Sequence, residues 1–256
     1  MQSGTSWNKF AGWYDSLLEA DSGTYQKTVI LPNLMRAMAP GKGEHILDVG
    51  CGQGFFSRAF AGSGAEVIGV DLSARLIEFA RTGAPKNTSF HRGNAERMPM
   101  VATASIDKAA AVLSLQNMAE AGKAISETGR TVKPGGRIFI VLNHPAFRIP
   151  KRSSWGWDEK EKIQYRRIDG YLSEAKEKIE MHPGKEDGGV TYSFHRPLQY
   201  YVKALRRGGF AIDSLEEWVS DRKSQPGTRA RAEDQARKEI PIFMMISAVK
   251  LESARK

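Results

Sequence analysis

One cysteine, Cys51, occurs in 256 residues. A single thiol excludes an intrachain disulfide and any cysteine metal cluster, and it is consistent with a reducing compartment. No two histidines have the spacing of zinc ligands, so no metal is expected. No apolar run approaches the ~20 residues of a membrane helix. A signal-peptide pattern is missing from the N-terminal stretch, which makes the cytoplasm the expected location. Internal repeats, low-complexity stretches and long basic runs are missing too. The basic excess is nonetheless real, with 38 Lys and Arg against 29 Asp and Glu for a formal charge of +9. Such a charge favours anionic partners, whether nucleic acid, acidic lipid or acidic metabolites, without choosing among them. Its even spread also fits an ordinary solvated surface. Length and a 41% hydrophobic content suit one α/β domain with insertions, or one domain plus a cap.

Against that background one stretch stands out. Ile46, Leu47 and Val49 read as a short buried strand, broken by glycines at alternate positions, Gly50, Gly52 and Gly54. Glycine lets the backbone bend sharply and lets a ligand lie against it. Phe55 to Ala61 then resumes as an apolar helix whose free N–H groups would face that loop. The spacing Asp48-x-Gly-x-Gly-x-Gly differs from the Gly-x-Gly-x-x-Gly of dinucleotide binders. A second apolar strand, Glu66 to Asp71, ends in an acid 17 residues after Gly54. A carboxylate at the tip of such a strand can accept hydrogen bonds from a ribose diol.

Together these segments resemble the cofactor motifs of class I S-adenosylmethionine (SAM)-dependent methyltransferases. The turn Lys133-Pro134-Gly135-Gly136 before an apolar strand is a third feature typical of that class. The resemblance covers residues 44–143 by motif and 195–251 by order of elements. It implies an α/β fold with a seven-stranded, mostly parallel sheet of order 3-2-1-4-5-7-6, the last strand antiparallel, and helices on both faces. It implies four regions: an N-terminal helical lid at 1–40, a SAM-binding core at 41–143, a substrate-cap insert at 144–194 and completion of the sheet at 195–256. The implied cofactor set is Asp48, Gly50, Cys51, Gly52, Gly54, Asp71, Leu72, Asn94, Ala95 and Ser114. Asn94 departs from the family, which usually has an acid there for the adenine amine; an amide oxygen can still accept from it.

Trp7, Phe10, Trp13, Tyr14, Leu17 and Leu18 recur at helical spacing. The resemblance makes Trp13, Tyr14 and Asp15 candidates for a lid over the cofactor or substrate, Trp13 and Tyr14 as substrate contacts, and simple core packing is the alternative. A second helix is predicted over Tyr25 to Ala39, and Ser73 should cap a helix from Ala74 to Arg81. Gln116, after the fourth strand, is a substrate contact or a helix cap. The insert is rich in Trp, Tyr, Arg and acids, so Trp155 and Tyr165 are candidates to sandwich a flat substrate. Its arginines could clamp a carboxylate or phosphate; covering the sheet end or a dimer contact is the alternative.

The implied activity is methyl transfer from SAM, which needs placement more than acid–base help. If a base is used, His144 and His195 are the candidates by position, with Asp158, Glu159 and Tyr165 behind them. The Asn/Asp-Pro-Pro-aromatic motif of nucleic-acid amino-methylating enzymes is replaced by Leu113-Ser114-Leu115-Gln116. The catalytic cysteine of cytosine-C5 enzymes is missing. A small-molecule acceptor is therefore expected; RNA or protein methylation and non-catalytic SAM binding are the alternatives. The acceptor and the oligomeric state are not encoded legibly.

Overall fold

The computed structural model describes residues 7, 8, 12, 23–180 and 190–252. Its centre is a seven-stranded sheet. β1 (His45–Val49), β2 (Glu66–Asp71), β3 (Thr88–Arg92), β4 (Ile106–Val112) and β5 (Val132–Asn143) run parallel. β6 (Ser153–Asp158) pairs with β7 (Ile163–Ile168), and β8 (Ala175–Glu180) with β9 (Val190–His195), as two separate hairpins. β10 (Phe210–Trp218) and β11 (Phe243–Lys250) close the sheet, β11 lying antiparallel between β5 and β10. The order β10-β11-β5-β4-β1-β2-β3 is the expected one, with the hairpin strands counted in.

Alternation along the strands sorts side chains between two cores. Leu47, Val49, Ala109, Ala111, Ile138, Ile140, Met244 and Ile246 face one side with α4 (Ala121–Thr131) and α5 (Leu198–Arg207). Ile46, Val67, Ala110, Val112, Phe139, Val141 and Met245 face the other with α1 (Leu31–Met38) and α2 (Phe55–Gly62). Strands buried on both faces are what a parallel sheet under two helix layers requires. α3 (Ala74–Arg81) completes the second layer, and Ser73 Oγ accepts from Leu76 N at 3.2 Å as its cap.

One boundary shifts from the sequence reading. The helix predicted over Tyr25 to Ala39 begins with a π-helical turn, Gln26–Ile30. Pro32 has no N–H for the carbonyl one turn back, and the helix widens just upstream of it. α4 starts at Ala121, after a 3₁₀ turn at Leu115–Asn117. α5 starts at Leu198, just after His195 ends β9. The polar stretch 221–238 contains α6 (Ala230–Glu239). Arg229, which caps α6, stacks over Trp157 of β6 at 4.6 Å and reaches Glu159 at 2.6 Å, so the first hairpin leans on this helix.

α4 and α5 approach closely at Gly129, where an added Cβ would lie 2.2 Å from the Gly208 carbonyl oxygen. Alanine normally stabilises a helix interior by about 0.5–1 kcal/mol over glycine. Gly129→Ala should instead destabilise by roughly 1–3 kcal/mol, read as a lower urea midpoint with unchanged slope.

Candidate functional site

β1 ends at Val49, and the next two N–H groups, of Gly50 and Cys51, both donate to Val70 O, at 2.8 and 3.1 Å. The glycine loop is thus sewn to β2 as it leaves the sheet. Gly50, Gly52 and Gly54 have φ of +74, +55 and +82°, a region that L side chains enter at a cost. A Cβ on Gly50 would sit 2.5 Å from Ser114 Cβ, so β4's end closes directly over the loop. Ser114 Oγ donates to Val49 O at 2.7 Å and fixes that closure.

Asp71 faces the loop from the tip of β2. Its Oδ2 accepts Gly52 N–H at 3.0 Å and its Oδ1 accepts Ser73 N–H at 2.8 Å. Each oxygen keeps a further lone pair. Burial pushes this carboxyl's pKa up, against the backbone donors of Ser73, Gly52 and Leu72. Asp48 lies deeper, 2% exposed, and accepts from Ser57 Oγ at 2.6 Å. Its burial, opposed by the Ser57 hydrogen bond and reinforced by the nearby Asp71, raises its pKa to about 7.

These groups line a cleft of about 260 Å³ at the C-terminal edge of the sheet. Of the ten residues assigned to cofactor binding by sequence, all but Gly54 line it. Gly54 instead starts α2, and a Cβ there would meet the Phe90 ring at 2.9 Å. Asn94 reaches the rim with its Oδ1 already accepting Glu96 N–H at 3.0 Å. The sequence reading missed the apolar walls Phe55, Leu113 and Met118, and Trp7 at the lip. Position in the segments that follow β1 and β4 was the signal for the first three. Asn8, next to Trp7, accepts from Ser73 Oγ at 2.6 Å.

The two histidines stand elsewhere. His144 is buried outside the cleft, with Nε2 2.7 Å from Glu217 and Nδ1 accepting the N–H groups of Ala146 and Phe147 at 3.2 Å. His195 Nε2 donates to Tyr171 O at 2.8 Å, and this ring does not line the cleft either. Both rings hold the chain together where the sheet ends. Trp155 and Tyr165 sit on the first hairpin, Trp155 stacked under Arg166 at 5.0 Å, and neither lines the cleft. Gln116 turns away from it, its Oε1 accepting Asn143 N–H at 3.3 Å. Trp13, Tyr14 and Asp15 lie outside the described residues. Among the described residues no three His, Cys, Asp or Glu gather as metal ligands, and no helix is long and apolar enough to cross a membrane.

A glycine loop, a strand-tip carboxylate and apolar walls at the open edge of a parallel sheet define a nucleoside-binding α/β domain. Comparison with known proteins agrees. Residues 47–140 match the family model described as a methyltransferase domain. A demethylmenaquinone methyltransferase of Clavibacter sepedonicus is 32% identical over 145 residues, 52% of this chain and 59% of that protein. A ubiquinone biosynthesis O-methyltransferase of Thiobacillus denitrificans is 33% identical over 112 residues, 42% of this chain and 48% of that protein. The chain thus spans about half the length of these curated relatives. The crystal structure of an S-adenosylmethionine-dependent methyltransferase from Mesorhizobium loti superposes with a TM-score of 0.64 at 28% identity, over 85% of this chain and 96% of that one. Residues 47–140 form a methyltransferase domain of the class I, Rossmann-like family, whose cofactor is S-adenosylmethionine.

The raised pKa of Asp48 has a thermodynamic consequence. Its carboxyl ionises near pH 3.8 when unfolded and near 7 when folded, so its contribution to stability is full below about pH 4 and declines as pH rises to 7. Asp48→Asn keeps an acceptor for Ser57 and removes the ionisation. The variant should melt higher than the parent at pH 8, by roughly 3 °C or more, with the gap closing near pH 4, as followed by circular dichroism.

Proposed function

We propose that this protein transfers the methyl group of SAM to a small-molecule acceptor. The observation that supports this most is Asp71, a strand-tip carboxylate with free lone pairs facing a cleft bounded by bare glycine backbone. The residues there fit the cofactor's parts. Asp71 suits the ribose diol, the Gly50–Gly52 backbone suits the amino-acid portion, and Leu72, Ala95 and Met118 offer apolar sides for the adenine. Asn94 keeps a lone pair on its amide oxygen for the adenine amine.

When bound, SAM supplies an electrophilic methyl on a sulfonium. The chain's own contribution is placement: it aligns an acceptor, excludes water and holds the donor in one pose. No proton is assigned to His144 or His195, since both rings are engaged away from the cleft. Relatives named for menaquinone and ubiquinone biosynthesis support a small molecule over a macromolecule. A buried free thiol, Cys51, supports a cytoplasmic location. The N-terminal segment as a lid and residues 144–194 as a substrate cap are part of the same proposal; Trp7 at the lip supports the former.

Calorimetry with S-adenosylhomocysteine tests the cofactor assignment. Asp71→Ala should weaken binding about tenfold or more through loss of a charge-assisted hydrogen bond, with the circular dichroism spectrum unchanged. Gly52→Val should abolish binding by filling the space beside the loop. Parental affinity in both variants would remove the assignment.

A further inference from the structure

The cleft is short of donors. Asp48, Asp71 and Glu96 line it, and among the described residues no Lys, Arg or His does. Most of its side-chain donors are already committed. Ser114 Oγ donates to Val49 O, and Asn117 Nδ2 donates to Leu113 O at 3.1 Å. The Cys51 thiol, a weak donor, turns to Gly52 O at 3.6 Å. Asn94 stands exposed at the rim.

Gln53 differs. It is 5% exposed and lines the cleft, yet among the described residues nothing pairs with its side-chain amide. A buried amide without a partner is destabilising, so one at a cleft wall points to a ligand that completes it. The backbone that carries it is pinned: Arg58 donates to Gln53 O at 2.6 Å, and to Phe79 O and Ala80 O of α3 at 3.2 and 3.3 Å. Phe55 and Phe56, the first two residues of α2, line the same cleft, and their N–H groups have no carbonyl one turn back within the helix. A neutral amide and the positive end of a helix therefore meet in a cleft whose charged side chains are all acids. Such a pair can hold an anionic group without a cation.

We propose that Gln53 holds the carboxylate of the SAM methionyl group, its amide NH₂ donating alongside the first N–H groups of α2. This rests on the methyltransferase reading and adds a residue that selects the cofactor by its carboxylate. SAM carries an ammonium, a sulfonium and one carboxylate. Its cationic groups find acceptors among the acids of the cleft. Its carboxylate finds no cation among the described lining residues and takes neutral donors, of which the Gln53 amide is buried, unpaired and fixed in place.

The probes are S-adenosylhomocysteine, its decarboxylated analogue S-adenosyl-3-thiopropylamine, and 5′-methylthioadenosine, which lacks the amino-acid portion. Each is titrated by calorimetry into the full chain. The parent should prefer S-adenosylhomocysteine to the decarboxylated analogue by about tenfold or more, the worth of hydrogen bonds to a charged group. Gln53→Leu should weaken S-adenosylhomocysteine about tenfold and leave the other two probes within about twofold of their parental affinities, so that most of the preference goes. Gln53→Glu, of the same size, should reverse the preference, because a carboxylate there repels the carboxylate of the ligand and attracts its ammonium. An equal loss for all three probes in Gln53→Leu, a preference unchanged in both variants, or no preference in the parent would overturn the proposal and leave the cofactor reading intact. Failure of the parent to bind any of the three would overturn both.

Discussion

The site depends on the parallel register of β1 against its two neighbours. Asp48 pairs with Gly69 on one side and Ala110 on the other, which brings the ends of three strands level. Only then can Val70 O receive the first N–H groups of the glycine loop and Ser114 Oγ reach Val49 O. A slip of one residue would turn Ile46 and Leu47 to the wrong faces and expose both cores. The same apolar alternation that stabilises the sheet therefore fixes the cleft. Chemistry and stability are not separable at β1.

Asp48 illustrates the cost of that arrangement. It lies between Leu47 and Val49, which are 0% and 1% exposed, so its carboxylate is taken out of water with them. The side-chain and backbone hydrogen bonds from Ser57 do not offset the desolvation, and Asp71 adds a like charge nearby. Buried carboxylates are retained at sites more often than in plain cores, because few other residues can accept so many hydrogen bonds. Asp71 has an easier position, since three backbone N–H groups face it.

Features set by local chain chemistry were legible in the sequence. The glycine loop and the Ser73 cap depend on residues a few positions apart, and they fall where the pattern puts them. The strand order followed from the resemblance, because the motifs fix which strands carry the loop and the acid. The histidines were not legible. His144 follows β5 at the correct edge, yet its ring is turned by Glu217, 73 positions away. His195 is held by Tyr171 O, on a loop between hairpins that no periodicity announced. Trp155 and Tyr165 were read as cap residues from composition, and composition does not say which hairpin face meets the cleft. Gly54 was grouped with its neighbours by spacing, but its duty is to let α2 pass Phe90.

Arg196 explains why the two hairpins between β5 and α5 matter to a cleft they do not line. The 3₁₀ turn at Leu115–Asn117 is not continuous with α4, and Glu120 enters that helix without a side-chain cap. Carbonyls in such a junction need donors from elsewhere. Arg196, 4% exposed, supplies them: its guanidinium donates to Met118 O at 2.8 Å, Ala119 O at 2.6 Å and Leu115 O at 3.4 Å. It is sandwiched by Phe194 at 5.2 Å and Tyr200 at 4.9 Å, so it has little freedom to leave. Met118 and Ala119 are cleft wall. Because Arg196 directly follows β9, the register of the β8–β9 hairpin sets where that wall stands. The insert thus shapes the cleft through one buried cation, and a change in the hairpin reaches it by moving three carbonyl groups rather than by lining it.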